Sequence, residues 1–305
     1  MYQRPKTELR KAVPLVLLAA FFNTLMIVLV KGISHLFPIQ VILFARYLIT
    51  LLIILPFIYF NPAKERVFVY LKTHRLLLHL FRDILGLISV FCYFYAASSI
   101  SLADATVLFN TAPLFIPIIA FFWGGLKIVH RLWWGMGVGF LGVILILQPG
   151  QELFNPATLI GLISGFCAAV VFVGSRYLAY SEPALRNMFY YFAVGTAVAC
   201  VMLLTVSKNV WHVLDMNSIL LLIGIGAFGY LYQLCFTHGA RYAPVRLTSS
   251  FLYASVIFAM LFDGLIWHVV PRFLSLMGIL FIIFGACLLL FLYPKEDYQK
   301  RHEKG

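Results

Sequence analysis

Residues 100–115, ISLADATVLFNTAPLF, and residues 243–258, APVRLTSSFLYASVIF, superpose without a gap when the chain is shifted against itself by 143 positions. The same shift lays Gly135 on Gly278 and Gly142 on Gly285. The identities are few, and the weight of the comparison lies in topology. Each stretch opens the fourth of five apolar runs in its half of the chain. Five is odd, so equivalent runs that cross a membrane must point in opposite directions. The connectors agree: SSISLAD (98–104) carries no Lys or Arg, whereas ARYAPVRL (240–247) carries Arg241 and Arg246.

The ten runs occupy 12–31, 36–60, 76–99, 102–125, 132–148, 157–180, 187–206, 217–238, 245–267 and 272–293. Each suffices, or nearly so, to cross about 30 Å of hydrocarbon at 1.5 Å per residue. They are apolar on every side, which excludes the alternating pattern of a membrane barrel. Of the 305 residues 63% are apolar and only 11% charged, with a mean hydropathy of +0.96. A soluble domain carries roughly a quarter charged residues, and a disordered chain is poor in the aromatics that abound here. The expected fold is all-α: a polytopic membrane protein with ten transmembrane helices in two inverted five-helix repeats. Its parts are an N-terminal tail (1–11), a first repeat (12–148), a linker (149–156), a second repeat (157–293) and a C-terminal tail (294–305).

The formal charge of +12 does not describe a nucleic-acid surface, because the basic residues sit in short clusters between apolar runs. With the N-terminus inside, 18 of the 23 Lys and Arg fall on the cytoplasmic side, and only Lys208 and Arg272 fall in outside loops. That bias places both termini inside, with a bacterial cytoplasmic membrane as the expected location. The five cysteines lie inside apolar runs without metal-ligand or CxxC spacing. No metal or cofactor is expected.

Arg46 falls near the middle of the second run, where a charge costs at least roughly 2.5 to 3.5 kcal/mol and so needs a cavity or a partner. A structural ion pair or a cap on broken-helix carbonyls is the plainer reading. Arg82 and Asp83 lie about two turns into the third run; adjacent helix positions do not face one another, so no pairing is expected between them. Arg82 suits an inner gate or a snorkelling contact with head groups. Lys31, Asp104 and Asp263 read as interface anchors. Asn23, Asn110, Gln233 and Tyr253 are mid-span polar groups that need partners, and Asn110 and Tyr253 occupy equivalent repeat positions. They suit a cavity lining or interhelical hydrogen bonds equally well. Tyr93, Tyr95, Tyr190, Tyr230 and Tyr232 could stack on a ring or fill the bundle. No carboxylate is expected at mid-depth, so the sequence gives proton coupling no support. Two GxGxxG matches, GVGFLG (137–142) and GIGAFG (224–229), follow no strand and read as close helix packing, as do Gly161 and Gly165.

From about 12 to 293 the chain resembles the drug/metabolite transporter superfamily, specifically its ten-helix EamA-type members. The resemblance rests on PIQVILFARYL (38–48), LFRDILGLISVFCYFYAASSISLADATVLFNTAPLF (80–115), GVGFLGVILILQPG (137–150) and YQLCFTHGARYAPVRLTSSFLYASVIFAMLF (232–262). The Arg-bearing second and third runs and YFYA (93–96) are most similar to the branch containing S-adenosylmethionine and riboflavin transporters. The chain departs from the family's GE after the fourth and ninth runs, having Leu126 in GGLK and Val269 in WHVVP. The resemblance implies alternating access through a central cavity that takes a small organic metabolite, its substrate-binding residues being Asn23, Arg46, Asn110, Gln233 and Tyr253, with Arg82 nearer the inner mouth. Arg46 would attract a carboxylate on an amino-acid-like, S-adenosylmethionine-like or vitamin-like solute. The expected partners are that solute and membrane lipids, with no nucleic acid, and the chain acting as monomer or homodimer. The alternative from another class is a membrane-embedded enzyme acting on a lipid or lipid-linked substrate. It would need clustered acid, base or metal-binding groups, and the eight His are scattered at loops and ends.

Overall fold

A backbone in hydrocarbon must satisfy its own N–H and C=O groups, and apolar runs of this length do so as helices. The computed structural model describes residues 9–60, 71–124, 132–147, 156–179, 182–206, 215–242, 251–269 and 272–292, which contain no strand. Leu126, Lys208, Arg246, residues 243–250, residues 1–8 of the N-terminal tail and the whole C-terminal tail lie outside them. In the first half the helices are α1 (Leu9–Ile33), α2 (Ile39–Tyr59), α3 (Leu76–Ser99), α4 (Leu102–Phe109), α5 (Ala112–Gly124) and α6 (Leu132–Leu147). The second half supplies α7 (Pro156–Ala179), α8 (Ala184–Leu203), α9 (Met216–Tyr242), α10 (Ala254–Ile266) and α11 (Phe273–Leu292). Seven described stretches are long and apolar enough to span, α4 and α5 counting as one, and three shorter apolar helices complete ten.

The fourth run, expected as one helix over 102–125, breaks at Asn110–Thr111. Pro113 favours the break there. It has no N–H, and in a continuous helix its ring would meet the carbonyl of Phe109, the last residue of α4. Ser101 caps the start of α4, accepting a hydrogen bond from the Asp104 N–H at 3.0 Å. The second half turns at the equivalent place, Leu252–Tyr253, just before α10. Side-chain hydroxyls take up carbonyls at both breaks: Thr111 donates to Leu108 at 2.6 Å, and Thr24 donates to Ser255 at 3.2 Å. Asn110 joins the breaks by donating to the Ser255 hydroxyl at 2.9 Å.

Glycine contacts give the inverted relation directly. A Cβ added at Gly142 would stand 2.5 Å from the carbonyl oxygen of Gly278, and one at Gly285 would stand 2.7 Å from that of Gly135. These two contacts interchange under the 143-residue shift. As numbering rises along α6 it falls along α11, so the two helices run antiparallel, backbone against backbone. The other packings repeat the pattern. α1 lies on α9 as α7 lies on α3, while α2 packs on α8 and α4 on α10. Gly224 and Gly226 admit Leu29 and Ile49, and Gly161 and Gly165 admit Leu108 and Thr111. Both expected packing roles are thereby filled.

The end of the bundle that carries Lys11, Lys72, Arg75 and Arg186 is called the basic end below, and the opposite end the far end. At the far end Lys31 and Asp263 are not the interface anchors they resemble in the sequence. Asp263 is fully buried, accepting the Ala103 N–H at 2.9 Å and facing Lys31 at 3.4 Å. Lys31 also donates to the Ile100 carbonyl at 2.9 Å and lies over the Trp267 ring. One carboxylate thus ties α1, α4 and α10 together.

Candidate functional site

Seven helices, α1–α4 from the first half and α7–α9 from the second, enclose a cavity of about 50 Å³ beside Arg46. That is room for one or two waters, each claiming about 30 Å³ of liquid. Its wall is mixed: Met26, Phe109, Phe172 and Phe236 are apolar, while Arg46, Arg82, Ser89, Tyr93, Ser175 and Gln233 present polar groups. Among the described residues two Arg and no carboxylate line it.

Arg46 reaches this space from α2, where Gly229 of α9 leaves room: a Cβ there would stand 3.2 Å from Arg46 Nε. The residue is 1% exposed. Its guanidinium lies over the rings of Tyr47 at 5.3 Å and Phe94 at 5.5 Å, and neither Nε nor Nη1 has a hydrogen-bond partner. The structural ion pair that would explain a mid-span Arg is not found among the described residues.

Arg82 is the contrasting case. Its Nε donates to Ser175 at 2.9 Å, its Nη1 donates to Asp83 at 2.8 Å, and its guanidinium covers the Tyr191 ring at 5.0 Å. The sequence argument against an Arg82–Asp83 pair is therefore overturned. Helix geometry separates the Cβ directions of neighbours, but the Arg side chain is long enough to curl back to the adjacent carboxylate.

Asn23 Nδ2 donates to Tyr93 at 3.4 Å, and the Tyr93 hydroxyl meets that of Thr106 at 3.0 Å. Tyr93 also stacks on Phe109 at 4.5 Å. Gln233 Nε2 donates to Thr237 at 3.3 Å, which leaves its carbonyl end uncommitted to that bond. The cavity thus brings together Asn23, Arg46, Arg82 and Gln233. It does not bring in Asn110, which joins the helix breaks, or Tyr253, which is packed among Val256, Ile279 and Ile282. Of the five other tyrosines singled out in the sequence, Tyr93 and Tyr232 reach the cavity. Tyr190 points instead to the basic end, donating to the Leu71 carbonyl at 2.8 Å.

Tyr191, Ser89 and Ser175 line the cavity without having stood out. Tyr191 also receives a hydrogen bond from Tyr47 at 3.1 Å and sits where Gly86 leaves space on α3. Its signal was available in FYYF (189–192), where two adjacent tyrosines point to different surroundings. At the basic end a second latch closes the bundle: Thr73 donates to Glu182 at 2.6 Å, and Arg186 pairs with the same carboxylate.

Comparison with known proteins bears on this geometry. The pseudopaline exporter CntI of Pseudomonas aeruginosa is 29% identical over 288 residues, covering 92% of this chain and 96% of that protein. The S-adenosylmethionine uptake transporter of Rickettsia felis is 25% identical over 260 residues, covering 85% of each. A solved crystal structure superposes with a TM-score of 0.59 at 17% identity, over 90% of this chain and 96% of its own, which speaks to the fold alone. Both named relatives carry metabolites, and the membrane-enzyme alternative finds no counterpart among them. The profile of the EamA-like transporter family matches residues 10–148 and again 155–291. One match for each half of a glycine-seamed antiparallel bundle makes the chain a multi-pass membrane transporter, and it belongs to the EamA-like transporter family.

Proposed function

We propose that the protein carries a small organic metabolite bearing a carboxylate, by alternating access, across a bacterial cytoplasmic membrane with both termini inside. The observation that carries the reading is Arg46, a buried guanidinium whose Nε and Nη1 lack partners beside a cavity that no carboxylate lines among the described residues. An anionic group would complete it with charge-assisted hydrogen bonds, the strong kind. S-adenosylmethionine, which bears a carboxylate, satisfies that chemistry and is what the Rickettsia felis relative is named for taking up.

A cavity of about 50 Å³ is far below the roughly 300 Å³ at which metabolite pockets begin. Admission of substrate therefore requires the two repeats, 12–148 and 157–293, to part. The Lys31–Asp263 contact at the far end and the Thr73–Glu182–Arg186 contacts at the basic end are the polar latches that such rocking opens in turn.

The test begins with a thermal-shift screen of purified protein against amino acids, nucleosides, S-adenosylmethionine, flavins and organic acids, since a ligand of the folded state raises its stability by mass action. Saturable flux of the hit into liposomes follows. Arg46→Gln removes a charged partner worth about 1.5 to 3 kcal/mol, so apparent affinity for an acidic solute should fall about ten- to hundredfold. Unchanged affinity and flux in a folded Arg46→Gln protein would end this reading.

A further inference from the structure

The anion-binding reading leaves a second buried cluster unused. Asp83 on α3 is fully buried; one carboxylate oxygen accepts from Arg82, and the other, Oδ2, has no hydrogen-bond partner. One turn earlier, His79 is also fully buried with neither ring nitrogen bonded, its ring stacked on Tyr190 at 4.7 Å. Arg82 belongs to both places at once, because the guanidinium that neutralises Asp83 also lines the cavity.

A carboxylate in such surroundings stays ionised while its counter-ion stays, and favours the neutral acid once the counter-ion leaves. A substrate carboxylate held by Arg46 would lie within the same small cavity as Arg82 and would compete with Asp83 for it. We propose that Asp83 is a proton-binding site coupled to substrate through Arg82, so that the carrier takes up a proton as it binds a solute bearing a carboxylate. The balance closes. Arg82 exchanges one carboxylate for another, a proton from bulk water becomes bonded to Oδ2 of Asp83, and the charge of the substrate's carboxylate is matched by that proton.

The groups around Asp83 suit this role. On its own helix they are Arg82 and His79, and α2 supplies Tyr47, which has Arg46 beside it; α8 supplies Tyr191 beneath Arg82, while Tyr190, Arg186 and Glu182 stand about His79. α7 contributes Ser175 and α1 contributes Asn23, neither of which titrates.

The coupling rests on the carboxylate-substrate reading, whereas the proton site does not, and the test separates them. Infrared titration of the ligand-free protein should show a buried protonated-carboxyl band on acidification that is missing in Asp83→Asn. In Arg82→Gln the band should persist to a proton concentration at least about tenfold lower. A wild-type titration identical to that of Asp83→Asn overturns the proposal even if Arg82→Gln does not fold. Calorimetry with S-adenosylmethionine in two buffers of different ionisation enthalpy should then report proton uptake in the wild type and none in Asp83→Asn. Binding without proton uptake in the wild type overturns the coupling. Absence of binding counts against the carboxylate substrate instead, leaving the infrared result to decide the site.

Discussion

Placing one methyl group in the α6–α11 seam should separate a protein held together backbone to backbone from one merely filled with apolar side chains. A Cβ at Gly142 would stand 2.5 Å from the Gly278 carbonyl oxygen and 2.8 Å from the Ile282 nitrogen, where ordinary contact begins at 3.4 Å. Both neighbours are backbone, so no side chain can swing aside, and the helices must move apart by about 0.9 Å, the difference between 3.4 and 2.5. Overpacking of this kind costs about 1 to 3 kcal/mol. Gly137, five residues earlier and on another face of the same helix, has nothing within 4 Å of its added Cβ, so Gly137→Ala keeps the helix-propensity gain of up to about 1 kcal/mol without the clash. Denaturant unfolding in micelles should therefore rank Gly137→Ala at or above wild type and Gly142→Ala at least about 1 kcal/mol below Gly137→Ala. Gly285→Ala, whose Cβ would meet the Gly139 nitrogen at 2.5 Å and the Gly135 carbonyl oxygen at 2.7 Å, should fall beside Gly142→Ala. If the three variants are equally stable, the seam does not hold the halves and the symmetry argument fails.

At the far end, Asp263→Ala should cost about 3 to 5 kcal/mol, because it strands Lys31 and the Ala103 N–H together; Asp263→Asn, which still accepts from Ala103, should cost less in the same unfolding assay. Tyr253→Phe deletes a buried hydroxyl that has no partner, so stability should hold or rise; lost flux in the folded variant would return Tyr253 to the substrate path. Partial burial pushes the Glu182 carboxyl up, but hydrogen bonds from Thr73 and Arg186 and the charge of Arg186 outweigh it, holding the group below the usual carboxylate range. A depressed folded-state value stabilises above the ordinary Glu value of about 4.3 and is lost as pH falls through the folded one. Melting curves of wild type should drop over that acid window, and Glu182→Gln should lack this part of the slope.

Periodicity and charge bias reveal spans, order and direction because these are one-dimensional properties: run lengths, an odd number per half, and where Arg and Lys collect. Side-chain direction is not one-dimensional. Asn110 and Tyr253 share a repeat position, yet that position is where the fourth and ninth spans break, so their side chains serve the junction of the halves rather than the cavity. Pro113 favours the break but does not by itself reveal it, because Pro14, Pro56 and Pro117 sit inside continuous helices and the second-half turn at Leu252–Tyr253 has no proline at the matching position, Val256. Arg82 and Asp83 mislead for a different reason. The neighbour rule concerns Cβ directions, and a guanidinium several bonds beyond Cβ escapes it. Asp263 looked peripheral because its sequence position is near a span end, but α1 and α4 cover that end completely.

The two cavity arginines set the energetic argument for a ligand. Arg82 shows what a finished buried guanidinium requires: a carboxylate, a hydroxyl and an aromatic face. Arg46 has only the aromatic faces of Tyr47 and Phe94, each worth about 0.5 to 2 kcal/mol. Against this stands a desolvation penalty of several kcal/mol for a buried ion. One or two waters in the cavity would recover part of that deficit, but they carry no charge. A serine or leucine at position 46 would remove the penalty altogether, whereas a guanidinium retains it and keeps Nε and Nη1 ready for an anion. The missing partner at Arg46 is thus of the kind Arg82 already has, a carboxylate, and the only one of the two that the chain does not itself supply among its described residues is the one that a solute can bring.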